Sequence, residues 1–303
     1  MTQPAPQTWT IEAVVKWATD DFRARGIDNP RLDAEILLSH ALGTNRMQLI
    51  LDGKRPLAPD ELARFRELVK RRRAREPVAY LLGQREFYGR PFRVDSRVLI
   101  PRPDTETLVD VALLRTRACS MSMRALDLCT GSGCVAITLA RERPTSHVVG
   151  TDKSEGALAL ARENALRLGA YNVSFRQGDL YDALPAAQEQ AKAPPRFDLV
   201  TANPPYIPSG EIATLMPDVR EFEPRLALDG GDDGLAVARR VVADAPRVLV
   251  PGGVLAMEIE AEPSIAAAVR DLFARAGFVD VEIARDYGRR ERVVSGVLRS
   301  VAR

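Results

Sequence analysis

Up to about residue 76, apolar positions recur every three or four residues, as in Leu32, Ile36 and Leu37 and again in Leu62, Phe65, Leu68 and Val69, with charged side chains between them. This spacing lines one face of a helix and predicts a small helical domain, residues 1–83. From Gln84 to Ile100 the period shortens. Aromatic and β-branched residues flank Tyr88-Gly89-Arg90-Pro91 and predict a β-hairpin connector over residues 84–100. Beyond Pro101-Arg102-Pro103, short apolar runs alternate with longer amphipathic stretches. Ala125 to Leu128, His147 to Thr151, Val173 to Gln177 and Phe197 to Ala202 read as successive strands, with later ones near Val254 to Ile259, Val279 to Ala284 and Val293 to Leu298. Strands separated by crossovers predict an α/β domain, residues 101–303, whose doubly wound sheet sets the first strand beside the fourth. Ala183 to Pro195 and Asp229 to Gly234 break the pattern with few residue types and read as surface loops, the second only faintly like a calcium loop.

The ends of these runs carry the chemistry. Asn203-Pro204-Pro205-Tyr206 follows the fourth strand directly, at the sheet edge where α/β enzymes bind ligands. The Asn203 side-chain carbonyl and the Pro204 backbone carbonyl are two acceptors suited to a planar NH2 group whose lone pair is delocalised. The prolines stiffen the segment, and Tyr206 offers an aromatic face for a flat acceptor. Asn203, Pro204 and Pro205 are also ordinary turn formers. After the first strand, Asp127 leads into a turn containing Gly131 and Gly133 and then an apolar helix, the first crossover of a nucleotide-binding unit. Ala136 stands where the third glycine of the dinucleotide fingerprint belongs, which disfavours NAD and suits a cofactor without a pyrophosphate. Asp152 and Asp179 end the next two strands, placed either for ribose and base contacts or as helix caps.

Composition narrows the class. With 46% hydrophobic and 28% charged residues and no apolar stretch long enough to span a bilayer, a soluble globular protein is expected. The start of the chain lacks a basic-then-apolar signal, so a cytoplasmic location is expected. Cys119, Cys129 and Cys134 have no metal-binding or disulfide spacing and read as packing residues, so no metal is expected. His40 and His147 read as structural rather than catalytic. The basic run Lys70 to Arg75 reads as a solvated helix face, because a net charge of +2 does not suggest stable nucleic-acid binding.

Taken in order, Asp127-Leu128-Cys129-Thr130-Gly131-Ser132-Gly133, Asp152, Asp179 and Asn203 to Tyr206 resemble a class I S-adenosylmethionine-dependent N-methyltransferase. Arg75 to Gly83, Glu86 to Gly89, Val98 to Glu106, Phe222-Glu223-Pro224, Asp286-Tyr287-Gly288 and Glu291-Arg292 narrow the resemblance to the release factor glutamine N5-methyltransferases, the PrmC/HemK family. The similarity runs from about Leu32 to the C-terminus. It implies a Rossmann-like methyltransferase domain that uses S-adenosyl-L-methionine to methylate the glutamine of the Gly-Gly-Gln motif of bacterial peptide chain release factors, which the helical domain docks. It further implies that Asp127, Gly131 and Gly133 line the methionine end of the cofactor, Asp152 the ribose, Asp179 the adenine, and Asn203, Pro204, Pro205 and Tyr206 the glutamine amide. Arg102 and Glu106 are expected beside the substrate or cofactor. Two departures stand out: Asp104 replaces the family's usual Glu, and Glu260 and Pro263 replace a glycine and a glutamine after Glu258. Methylation of a ribosomal-protein glutamine, adenine N6 methylation with base flipping, and cofactor binding without catalysis remain as alternatives.

Overall fold

The computed structural model describes residues 9–119, 122–184 and 196–299. These form two compact units divided between Gly83 and Gln84.

The first unit is helical. Helices α1 (Ile11–Ala24), α2 (Pro30–Leu42), α3 (Arg46–Leu51), α4 (Pro59–Arg73) and α5 (Val78–Leu82) close over Phe22, Leu37, Leu38, Phe65 and Val69. Thr10 caps α1, and Pro30 and Pro59 open α2 and α4 where a missing N–H costs nothing. The buried stripe of α2 runs through Ala34, Leu37, Leu38 and Ala41, while Leu32 is exposed. The basic run departs from its reading as a solvated face. Arg72 is buried and donates to Asp33 at 2.8 Å, Arg73 pairs with Asp21 at 2.7 Å and covers the Trp17 ring, and Arg71 pairs with Glu76. Helical periodicity places Arg72 one turn after Leu68 and Val69, so half of the run has to turn toward the core.

The second unit opens with a hairpin, β1 (Gln84–Phe87) and β2 (Arg90–Arg93). Its two-residue turn, Tyr88-Gly89, has positive φ at both positions, the twist that matches antiparallel strands. Phe87 and Phe92 are buried in the same cluster as Leu108, Val109 and Leu139, so the hairpin belongs to the core of this unit. Then follow α6 (Glu106–Arg115), β3 (Arg124–Leu128), α7 (Cys134–Glu142), β4 (His147–Asp152), α8 (Glu155–Arg167), β5 (Val173–Gln177), β6 (Phe197–Ala202), α9 (Pro217–Arg220), α10 (Ala236–Val248), β7 (Leu249–Glu258), α11 (Pro263–Arg275), β8 (Phe278–Arg285) and β9 (Glu291–Leu298).

The seven-stranded sheet has the order β5-β4-β3-β6-β7-β9-β8, parallel except for β9, which runs antiparallel to both neighbours. This is the doubly wound α/β domain that the alternating runs predict, with the first and fourth strands adjacent. Leu126, Leu128, Val200 and Leu255 pack to one side with α10 and α11, and Ala125, Leu199, Val254 and Ala256 to the other with α6 and α7. Two-sided cover explains why these strands read as continuous apolar runs. The register sets Leu128, Thr151, Ala202 and Met257 in one row. The residues that follow them, Cys129, Asp152, Asn203 and Glu258, therefore leave the sheet at one edge.

Most of the Ala183 to Pro195 patch, residues 185–195, lies outside the described residues. Asp229 to Gly234 is not a free surface loop. Ile207 N donates to Leu228 O at 3.0 Å and Gly230 N to Ile207 O at 2.8 Å, which straps the segment to the chain after Tyr206. No helix among the described residues is long and apolar enough to cross a membrane.

Candidate active site

At the carboxyl edge of β3, β4 and β6 lies a cavity of about 500 Å³, the size of a pocket for a nucleoside-sized ligand. Of the residues singled out in the sequence, Asp127, Gly131, Asp152, Asp179, Asn203, Pro205 and Arg102 line it. Gly133, Pro204, Tyr206 and Glu106 do not contribute to its wall.

The turn after β3 is built for close approach. Cys129, Gly131 and Gly133 all have positive φ, and Gly131 N donates to Asp152 Oδ2 at 2.9 Å. Gly133 serves packing: a Cβ there would fall 2.8 Å from Ile137 Cδ1 and 3.2 Å from Ala161 Cβ. Asp152 also accepts from Ser154 N at 2.9 Å through its other oxygen, so one carboxylate organises the turn and the start of α8. Burial raises its pKa above the usual carboxylate value.

Asp127 is buried beneath the turn. Its carboxylate accepts from Thr130 Oγ1 at 2.6 Å and Thr201 Oγ1 at 2.8 Å. Burial pushes its pKa up to about 6, against the lowering effect of those hydroxyls and of the Ala136 N–H. Asp179 sits at the exposed end, its carboxylate 3.2 Å from Arg240 and 3.6 Å from Lys153. Three carboxylates along one wall suit a ligand with a cationic centre and hydroxyl groups.

Across the cavity, Asn203 Nδ2 donates to Thr105 Oγ1 at 3.2 Å, which leaves the side-chain carbonyl as the amide atom available to a ligand. Burial pushes the Tyr206 phenol up to about 12, so it stays neutral at physiological pH. The strap from Asp229 to Gly234 holds this segment by close backbone contact. A Cβ on Gly234, where φ is +72°, would lie 2.3 Å from Tyr206 O. Gly234→Ala is therefore expected to push the Asn203 to Tyr206 segment out of place and cost about 10²-fold in turnover, with a lowered melting temperature. Turnover and thermal melting of the purified variant measure both effects.

Arg102 reaches the cavity wall while donating to the buried Glu223 at 2.6 Å, so the segment holding Pro224, Leu226 and Ala227 is tied to the wall. Glu106 lies off the cavity wall, where it accepts from Tyr88 N at 2.7 Å and fastens α6 to the hairpin turn. Both histidines are exposed, His40 in α2 and His147 at the opposite, amino end of β4, and neither reaches the cavity. The three cysteines are free thiols.

Sequence reading missed Thr105, Thr201, Glu223, Arg240 and Glu258. Thr105 lay inside a quoted motif and Glu258 beside a noted departure, yet nothing local marks Thr105 as the partner of Asn203.

The chain matches known proteins in both units. A model of the PrmC N-terminal domain matches residues 13–83 and a methyltransferase-domain model residues 120–282. Among curated proteins, the release factor glutamine methyltransferase of Geobacter sulfurreducens is 45% identical over 96% of this chain and 98% of its own length. That of Chlorobaculum tepidum is 43% identical over 96% and 98%. Among solved structures, a methyltransferase from Pyrococcus furiosus, 16% identical, covers 71% of this chain and 91% of its own with a TM-score of 0.50, a likeness of fold.

Proposed function

The chain belongs to the release factor glutamine methyltransferases, and from that premise we propose that it transfers a methyl group from S-adenosyl-L-methionine to the side-chain nitrogen of the glutamine in the Gly-Gly-Gln motif of peptide chain release factors. The observation that carries the reading is the juxtaposition of the Asp127, Asp152 and Asp179 wall with the amide carbonyl of Asn203 around one cavity.

The residues fit the cofactor. Asp127 offers a buried negative charge to a cationic sulfonium and ammonium, Asp152 an acceptor for ribose hydroxyls, and Asp179 an acceptor near the base. When bound, the sulfonium supplies a methyl group already activated for transfer. The chain's own task is placement. Asn203 Oδ1, and the Pro204 carbonyl behind it if the segment turns it toward the cavity, would accept the N–H groups of the glutamine amide, aim its lone pair at the methyl group and favour the tetrahedral nitrogen, whose surplus proton would pass to solvent. Tyr206, held neutral, supplies no base, and its ring, which lies off the cavity wall, would meet the substrate only if the segment shifts on binding.

In this reading residues 1–83 dock the release factor, residues 84–100 connect, and residues 101–303 carry the transfer, in the cytoplasm where translation proceeds. Stable nucleic-acid binding is not expected, since Arg71, Arg72 and Arg73 already face Glu76, Asp33 and Asp21.

The test is methyl transfer from labelled cofactor to an unmethylated release factor, with a ribosomal protein and adenine-containing DNA in parallel. Label on the release factor alone supports the proposal, and label on either of the others alone replaces it. Cofactor affinity carries its own prediction. A cationic ligand lowers the pKa of Asp127 from about 6, so binding releases protons below that value. The dissociation constant is expected to be flat above pH 7 and to rise toward about tenfold per unit as pH falls well below 6. Calorimetry between pH 5 and 8 measures it.

A further inference from the structure

An asparagine amide presents a carbonyl on one side and an NH2 of nearly the same size on the other, and its neighbours decide which way round it sits. At Asn203 only one orientation offers an acceptor to the cavity. We propose that Thr105 and Glu258 are positioning residues which fix that orientation through a one-way chain of hydrogen bonds, from Asn203 Nδ2 to the Thr105 hydroxyl and from that hydroxyl to the Glu258 carboxylate. The inference rests on Asn203 as the amide acceptor of the proposed reaction.

Thr105 Oγ1 lies 3.2 Å from Asn203 Nδ2, the same hydroxyl acts to lower the pKa of the neighbouring Glu258 carboxyl, and Glu258 Oε2 is a buried acceptor without a hydrogen-bond partner among the described residues. A hydroxyl has one proton. Given to a carboxylate, it leaves only lone pairs for Asn203, so Thr105 accepts and the NH2 must face it. Thr105 is 2% exposed and Glu258 1%, so both are shielded from bulk solvent. The register sets Ala202 opposite Met257, so Asn203 and Glu258 emerge side by side. The turn that carries Thr105 is clamped in turn: Asp104 takes Arg290 at 2.8 Å and Arg292 at 3.2 Å, and both arginines also pair with Asp286. The Asp286 and Glu291-Arg292 segments, which the transfer step leaves without a task, thereby gain one.

The direction of the chain depends on charge. Protonated Glu258 can donate to Thr105, which frees the hydroxyl proton for Asn203 Oδ1 and favours the flipped amide. Burial pushes the Glu258 pKa up to about 7 against Thr105, Arg292 and Arg102, while Asp104 adds to the rise. Tyr206 and Cys134 also feel its charge. Turnover should therefore fall with decreasing pH through about 7.

The test compares Thr105→Val, Thr105→Ser, Glu258→Gln, Asn203→Ala and the Asn203→Ala/Thr105→Val pair in methyl transfer and in cofactor binding. Thr105→Val should lose about tenfold or more in kcat, keep the cofactor dissociation constant within about twofold, and recover most of its rate as Thr105→Ser. Glu258→Gln should flatten the limb of the pH profile near 7. The double variant should be no slower than Asn203→Ala. Unchanged kcat in Thr105→Val, or a full additional loss in the double variant, would overturn the proposal. Wild-type activity in Asn203→Ala would instead remove its premise, the reading of Asn203 itself.

Discussion

Replacing Asn203 by Ala is expected to slow methyl transfer by about 10²- to 10³-fold, the cost of removing one preorganised partner from a transition state, while cofactor affinity changes little. The argument is differential. Asn203 Nδ2 is committed to Thr105, so the carbonyl is the half of the amide that meets the substrate. Its bond gains strength only as the attacking nitrogen becomes tetrahedral and its N–H groups more acidic. Such a contact appears in kcat rather than in cofactor binding. A parallel loss of cofactor affinity would move Asn203 from the amide to the cofactor.

Asp152→Ala should fail in the opposite way. Its two oxygens accept from Gly131 N and Ser154 N, and the proposed ribose contact would add further donors. Hydrogen bonds to a charged group are worth about 1.5–3 kcal/mol, so losing the ribose contact alone weakens cofactor binding by about 10- to 100-fold. The freed Gly131 N–H also loosens the turn, which pushes the loss toward the upper figure. Turnover at saturating cofactor should fall much less. Asp152→Asn keeps one acceptor and should lie between. Equilibrium binding with each variant, set beside turnover at saturation, separates these expectations, and an unchanged dissociation constant in Asp152→Ala would retire the ribose role.

The division between what the chain disclosed and what it concealed follows the range of the interactions. Strands buried on both faces produce apolar runs that any reader can find, and β3 and β6 are adjacent because crossovers of one hand leave few other arrangements. The hairpin turn announced itself because Tyr88-Gly89 has the length and the glycine that a left-handed pair of turn residues requires. Asn203 was visible for its type and its place after a strand. Its partner Thr105 is 98 residues away, and Arg102 finds Glu223 at a separation of 121. No local period records such pairings. The bond that Glu106 accepts from Tyr88 N, 18 residues away, was hidden for the same reason. The arginines of α4 misled because a run of like charge hides the carboxylates of α1 and α2 that neutralise it. Asp229 to Gly234, read as a surface loop, is glycine-rich because the backbone after Asn203 passes too close for a side chain.

The central claim is that the cavity holds a glutamine amide against an activated methyl group. The most direct test is tandem mass spectrometry of the Gly-Gly-Gln peptide from an unmethylated release factor after incubation with this protein and S-adenosylmethionine. The account predicts a single added methyl group on the glutamine side-chain nitrogen, absent with Asn203→Ala. An unmodified glutamine in a reaction that methylates another residue or another substrate would contradict it.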